Sequence, residues 1–191
     1  MTTKRVDRPG GTMSVGAPRI PPGSRREIGA IPTAIAAAAG RAIGSGPPNL
    51  FTTLARHRRL FLPWLWFAGM LMPRGKLPRK DTEIVILRVA HNCHCEYEWR
   101  HHERIAQTVG LGADDVERVR EGPGADGFSE RQALVLRAAD ELHRRRDITN
   151  RTWEGLQRHL SELELIELCM LVGHYEMLAM TLNALRVQPD R

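Results

Sequence analysis

Apolar side chains recur every three or four residues along most of this chain, a spacing that places them on one face of an α-helix. Trp153, Leu156 and Leu160 form one such set, and they follow Thr149, a residue type that caps helix starts. No alternation of apolar and polar residues extends far enough to indicate a β-strand. The pattern therefore predicts an all-α protein whose helices have short connections and pack as antiparallel neighbours.

Turn residues and capping sequences divide the chain into a series of predicted helices. Ser129 and Ser161 each begin a capping box, completed three residues later by Gln132 and Glu164. Poor helix formers at 92–94 predict a break between two helices. The predicted helices are 25–43 (bent or started near Pro32), 50–57, 60–72, 82–92 (capped by Asp81 or Thr82), 95–110, 112–121, 129–146, 149–160 and 161–185.

The first 23 residues are rich in Gly, Pro and charge and offer little to bury, so we predict a flexible segment, mobile or draped over the surface. Residues 24–191 are expected to form a single helical domain, a length that one core can support. Met13 is an alternative start, because nothing before it carries a pattern.

Residues 60–72 contain the longest apolar run, with Trp64, Trp66 and Phe67 supplying large apolar area. A helix that is apolar nearly all round lies either centrally in the core or in a subunit contact. The run contains Pro63 and is shorter than the roughly 20 residues that span a bilayer, so no membrane segment is predicted.

Composition narrows the choice of partner and compartment. The chain has a net charge of +6, which could suit an anionic partner, but its basic residues are scattered and aromatics make up only 5%. We therefore expect no nucleic-acid binding. Three cysteines cannot form an even disulfide framework, and no signal-peptide pattern begins the chain. Both observations favour a cytoplasmic protein with reduced thiols.

The chemistry-bearing residues concentrate between Thr82 and Gly110. Cys95, Glu98 and His102 are spaced i, i+3, i+7 and fall on one helix face, where a thiol, a carboxyl and an imidazole can exchange protons. Glu83 is placed to join them from the preceding helix. Cys95 near a helix start is expected to have a lowered pKa, since the positive end of the helix dipole favours the thiolate.

Other interpretations of these residues remain open. Each residue alone fits ordinary core packing. Cys93 and Cys95 form either a labile redox disulfide across a turn or no bond at all. His91, Cys95, Glu98 and His102 could hold a metal, but the usual zinc spacings are absent, so we predict no metal and no cofactor.

His174 and Tyr175 interrupt the most apolar helix of the chain. Buried imidazole and phenol groups need partners, so these two residues either line the same pocket as Cys95 or pack as satisfied core residues. Cys169 has no nearby base, and we interpret it as structural.

Three sequence segments closely resemble the carboxymuconolactone decarboxylase family. In chain order they are DTEIVILRVAHN, EYEWRHH and LIELCMLVGHYEMLAMTLNALRVQP. That superfamily also contains the AhpD-like alkylhydroperoxidases, and the resemblance covers roughly residues 48–189. It implies an all-helical AhpD-like bundle, usually assembled as homo-trimers or hexamers.

The peroxidase pattern of this superfamily is a Glu, eleven residues, C-x-x-C, three residues and a His. The resemblance implies that Glu83, Cys95 and His102 correspond to the Glu, the first Cys and the His of this pattern. Glu98 occupies the position of the second cysteine. Cys93 is the candidate substitute for that cysteine.

Three functions follow from the resemblance and the residues together. The first is a thiol-dependent peroxidase in which Cys95 attacks a hydroperoxide while His102 and Glu83 relay protons. The second is a decarboxylase or isomerase of a small lactone or carboxylic acid, with Glu98 and His102 as acid and base and Arg88 as carboxylate anchor. The third is a non-catalytic helical oligomer.

Overall fold

The computed structural model describes residues 16–42 and 44–190, and within these residues it contains α-helices and no β-strand. The prediction of an all-α protein is confirmed. In chain order the helices are α1 Arg25–Ile28, α2 Ala30–Ala42, α3 Asn49–Leu54, α4 Arg58–Leu71, α5 Arg79–Asn92, α6 Glu96–Thr108, α7 Ala113–Glu121, α8 Glu130–Arg145, α9 Asn150–Gln157 and α10 Glu162–Leu185.

Two predicted helix starts differ from the structure. The helix expected over 25–43 is divided at Gly29, whose φ of 88° is a conformation that glycine adopts without strain. Pro32 instead sits in the first turn of α2, where its missing N–H costs nothing. α5 begins at Arg79, before the predicted caps, because the backbone of Pro78 is already placed for a helix to start directly after it.

α5 is the central helix of the fold. Residues 81–90 are all buried, and α6, α7, α8 and α10 pack around them. One side of α5 contributes Val85 and Val89 to a core shared with α8 and α10, and the other contributes Ile84 and Leu87 to a core with α6 and α7. Side chains at 81–90 are therefore held in place by close packing on all sides.

The predicted break between α5 and α6 is present. Cys93 and His94 form a turn in which His94 has a φ of 50°, and Cys95 is extended before α6 begins. The Cys95 amide donates to the Ala90 carbonyl at 2.8 Å, which closes the turn. α6 consequently returns along α5 and presents Glu98 and His102 from the opposite wall to α10.

α4 lies at the surface rather than in the centre. Phe61 and Leu71 are buried, whereas Leu60, Leu62 and Trp66 are more than 40% exposed. The run is therefore not the central core helix, and its role in a subunit contact stays a prediction.

α10 is the one helix in the described residues that is long and apolar enough to cross a membrane by length and composition. More than half of its most apolar window is buried against the rest of the protein, as expected of a core helix.

Residues 16–23 lie along the surface in extended form. The Arg19 amide donates to the Leu185 carbonyl at 2.9 Å, and the Gly23 amide donates to the Thr52 carbonyl at 3.0 Å. The earlier part of the segment predicted to be flexible, with Met13, lies outside the described residues.

Candidate functional site

A cavity of about 330 Å³ lies where α3, α4, α6 and α10 meet. α6 supplies Glu98 and His102 to its wall, and α10 supplies His174 and Tyr175. The exposed side chain of Arg74 also lines it, so the cavity communicates with solvent. Four of the sequence-predicted site residues are therefore brought to one small chamber.

A larger and more open hollow of about 690 Å³ lies beside α3 and the start of α4. The charged groups around it, such as Arg58 and Arg59, lie at the surface, and no buried titratable residue lines it. The chemistry that a buried acid or base can perform is therefore confined to the smaller cavity.

His102 is the best-positioned proton acceptor of the cavity. Its Nδ1 lies 2.7 Å from Oε2 of Glu83, and both side chains are buried. Arg79 donates to the other Glu83 oxygen at 2.9 Å, which holds the carboxylate in place.

Burial lowers the pKa of His102 below 6.5, although the Glu83 carboxylate opposes the shift. The ring is therefore neutral at pH 7. We assign its proton to Nδ1, where it is donated to Glu83, which leaves Nε2 as the acceptor for a ligand.

Glu98 is the complementary acid. It is 2% exposed, and neither of its carboxyl oxygens has a hydrogen-bond partner among the described residues. Burial raises its pKa well above the ordinary value; the neighbouring Cys95 thiol opposes the shift and the Glu176 charge adds to it. The raised pKa favours the protonated form of Glu98, from which it can donate a proton.

The remaining wall is aromatic, with polar atoms that lack partners. His174 stacks on Trp64 with ring centroids 6.2 Å apart, and burial lowers the pKa of His174 to about 4. Trp64 Nε1 and His174 Nδ1 are both buried without a hydrogen-bond partner in the part of the chain that the structure describes. Buried polar atoms without partners are rare, and these two are available to a bound molecule.

A second polar group at the cavity was missed by the sequence reasoning. Tyr97 and His101 line the wall beside His102 and stack on each other, and the Tyr97 hydroxyl lies 2.9 Å from both oxygens of Asp190. The Asn49 amide donates to the same carboxylate at 2.7 Å. The i, i+4 spacing of Tyr97 and His101 was visible in the sequence, whereas nothing near Asp190 indicated its partner.

The predicted thiol environment is wrong. Cys95 is the residue before α6, as expected, but it is 1% exposed, packs in the core and does not line the cavity. Burial raises the pKa of Cys95, so the dipole of α6 does not lower it as predicted. Cys93 and Cys95 are both free thiols, and burial raises the pKa of Cys93 to about 12.

Arg88 lies away from the cavity. Its guanidinium binds Asp140 through two hydrogen bonds of 2.6 and 2.9 Å and donates to the carbonyl of Val119 at 2.9 Å. Asn92 donates to the same carboxylate at 2.8 Å. This buried network joins α5, α7 and α8, so the guanidinium expected to anchor a carboxylate is already occupied.

The metal set considered from the sequence does not converge. His91 packs edge-on against Trp99, while His102 turns to Glu83. Within the described residues, neither His91 nor Cys95 belongs to a cluster of three ligand atoms close enough to share an ion.

Comparison with protein families supports the resemblance found in the sequence. Residues 61–141 match the model of the carboxymuconolactone decarboxylase family. No curated protein matches the chain. The matched residues include α5, α6 and α7, and over this part of the chain the match confirms the resemblance to that family.

Solved structures share the fold at low sequence identity. An uncharacterised peroxidase-related protein from Silicibacter sp. TM1040 is 14% identical with a TM-score of 0.78, over 94% of this chain and 95% of that one. An uncharacterised peroxidase-related protein with an alkylhydroperoxidase AhpD core, from Ralstonia eutropha JMP134, is 16% identical with a TM-score of 0.73, over 82% and 83%. The debrominase Bmp8 is 16% identical with a TM-score of 0.73, over 89% and 91%.

Proposed function

We propose that this chain is an enzyme that moves protons on a small carboxylic acid or lactone, as an isomerase or a decarboxylase. The observation that carries the proposal is the pairing of a neutral His102, oriented by Glu83, with a protonated Glu98 in the same cavity. A base and an acid with opposite pKa shifts are what proton transfer at neutral pH requires.

The roles follow from the geometry. Nε2 of His102 takes a proton from a carbon next to the substrate carbonyl, while Glu98 gives its proton to the carbonyl oxygen, and the enol so formed is neutral. Return of the two protons to different atoms gives an isomer. If the substrate carries a β-keto carboxylate, Glu98 gives its proton to the keto oxygen as CO₂ leaves, which forms an enol of the same kind. The enol then returns that proton to Glu98, and the carbon takes a proton from solvent.

The cavity supports a small substrate with an apolar body. Phe51 and Leu178 contribute apolar surface, and the Trp64 ring contributes an N–H donor. Arg74 is the one guanidinium that lines the cavity in the described part of the chain. We assign it the carboxylate-binding role that the sequence had suggested for Arg88.

Thiol-dependent peroxidase activity is the second candidate. Its support is the register of Glu83, Cys95 and His102, together with the closeness of Cys95 to Glu98. The buried Cys95 sulfur has no route to a hydroperoxide unless the turn before α6 opens, and for this reason we rank it below acid–base chemistry.

Deuterium exchange separates the two candidates. A panel of small keto acids and lactones is incubated with the protein in D₂O, and loss of carbon-bound protons is followed by NMR. We expect exchange or decarboxylation that survives Cys95→Ser and falls by about 10²-fold or more in His102→Gln and Glu98→Gln. Thiol-dependent peroxide consumption that Cys95→Ser abolishes, with no exchange on any compound, would instead favour the peroxidase.

We also propose that the chain forms a homo-oligomer through the outer face of α10. Apolar residues alternate there at three- and four-residue intervals, the spacing of a seam between two packed helices, and each is at least 45% exposed. They are Leu163, Ile166, Met170, Met177 and Met180. A second copy presenting the same face offers the matching seam, as the trimers or hexamers implied by the resemblance require.

A further inference from the structure

A second cluster of reactive side chains lies outside the lining of the cavity. Cys93 at the end of α5, His143 on α8 and Glu176 on α10 place one ligand atom each within 4.8 Å of the others. The Cys93 sulfur is 3.4 Å from Glu176 Oε1 and 3.9 Å from His143 Nδ1. His143 Nδ1 and Glu176 Oε1 are 2.5 Å apart.

We propose that Cys93, His143 and Glu176 form a binding site for a divalent transition metal, with Zn²⁺ as the ion that this donor set fits. Thiolate, imidazole and carboxylate are the three ligand types that zinc takes from proteins. The site lies outside the cavity of the acid–base proposal, since none of the three residues lines that cavity.

The geometry is close to what a tetrahedral ion requires. Zinc bond lengths place neighbouring ligand atoms roughly 3.3–3.6 Å apart. The sulfur already stands at nearly this distance from both partners. His143 and Glu176 must separate by about 1 Å, and the His143 side chain, 29% exposed, has room to move outward.

Binding exchanges protons for the ion in a balanced way. The Cys93 thiol loses its proton to solvent, and the proton between His143 Nδ1 and Glu176 Oε1 also leaves to solvent, while the other ring nitrogen of His143 carries the proton of the neutral imidazole. Two metal bonds replace the hydrogen bond, and no oxidant or reductant is needed. Arg146 donates to the second Glu176 oxygen at 3.0 Å, which leaves the first oxygen for a monodentate bond.

Three protein ligands leave a fourth position for water or an exogenous group. Cys93 and His143 are both half-buried, so solvent can reach the cluster. Because the three ligands come from α5, α8 and α10, an ion here would tie together the helices that surround the core.

Cobalt serves as the spectroscopic probe. Chelator-treated, reduced full-length protein is titrated with Co²⁺ and then with Zn²⁺. We expect the visible bands of tetrahedral Co²⁺, a near-ultraviolet thiolate-to-cobalt band, and loss of both as Zn²⁺ displaces the probe. Cys93→Ser removes the thiolate band, and His143→Ala weakens Zn²⁺ affinity by more than about 100-fold, beyond the 10- to 100-fold cost of losing an outer partner.

Cys169→Ser is the matched control, because Cys169 is a half-buried thiol that belongs to no ligand cluster in the described residues. It should leave the spectrum and the affinity unchanged. Octahedral Co²⁺ without a thiolate band, or a thiolate band that persists in Cys93→Ser, would overturn the proposal. So would a Zn²⁺ affinity that His143→Ala leaves intact while circular dichroism shows that this variant is folded.

Discussion

Nδ1 of His102 lies 2.7 Å from Oε2 of Glu83, and the contact joins the two central helices α5 and α6 behind the cavity wall. Glu83 is fully buried and receives a second hydrogen bond from Arg79, so the carboxylate cannot turn away. The ring is thereby fixed with its other nitrogen free for the cavity, and the acid–base account depends on that orientation.

The protonated state of Glu98 predicts a pH-dependent stability. A group whose folded pKa is raised stabilises the fold fully below its unfolded pKa, about 4.5, and loses that contribution as pH rises through the folded pKa. Glu98→Gln removes this titration. The variant should gain stability relative to wild type by up to about 1.4 kcal/mol per pH unit above pH 4.5, measured by urea unfolding.

The range below pH 4.5 serves as the control, because there the difference in unfolding free energy between wild type and Glu98→Gln should not change with pH. A difference that stays constant from pH 4 to pH 8 would mean that Glu98 is ionised in the folded protein.

Cys95 is predicted to be the least reactive of the three thiols. It is 1% exposed and its pKa is raised, while Cys169 is half-buried, so alkylation of Cys95 in the native protein should be at least about tenfold slower than that of Cys169. Mass spectrometry of peptides after timed iodoacetamide treatment measures each rate. Fast labelling of Cys95 would favour thiol-dependent peroxidase activity over the proposed acid–base function.

The Arg88–Asp140 pair is predicted to support the fold. Asp140→Ala leaves a buried guanidinium without its charge partner, which should cost about 3–5 kcal/mol in the free energy of unfolding. The matched control is Arg100→Ala, which breaks the exposed Arg100–Glu96 pair of the same 2.6 Å length and should cost less than about 1 kcal/mol. Equal losses would contradict the structural role given to Arg88.

The outer face of α10 is predicted to hold the oligomer together. Ile166→Glu places a charge in the proposed seam and should convert the assembly to monomers in light scattering coupled to size exclusion. Glu162→Gln, at the exposed start of the same helix, should leave the mass unchanged. A wild-type protein that is monomeric at micromolar concentration would contradict the proposed homo-oligomer.

Local signals predicted most of the fold. The capping boxes at Ser129 and Ser161 and the break near His94 are set by neighbours within four residues, and the helices begin and end there as expected. The sequence also predicted that Glu98 and His102 share one face of α6, because the helical repeat alone determines which residues share a face. The α5 start was misplaced because the geometry of Pro78 outweighs the capping preference of Asp81 or Thr82.

Long-range contacts were beyond the sequence reasoning. Asp140 binds the Arg88 guanidinium although the two residues are 52 positions apart in the chain, and no local sequence pattern indicated this contact. The Cys95 pKa was predicted from the helix dipole alone, but tertiary burial shifts it in the opposite direction. His143 entered no prediction, because its partners Cys93 and Glu176 come from two other helices.

The most direct test of the acid–base account is the ¹⁵N NMR spectrum of His102 at pH 7, assigned with His102→Gln. We predict a neutral ring with the proton on Nδ1 and an unprotonated Nε2, and a loss of this preference in Glu83→Gln. An imidazolium, or a proton on Nε2, would contradict the account, since His102 would then have no lone pair to offer the cavity.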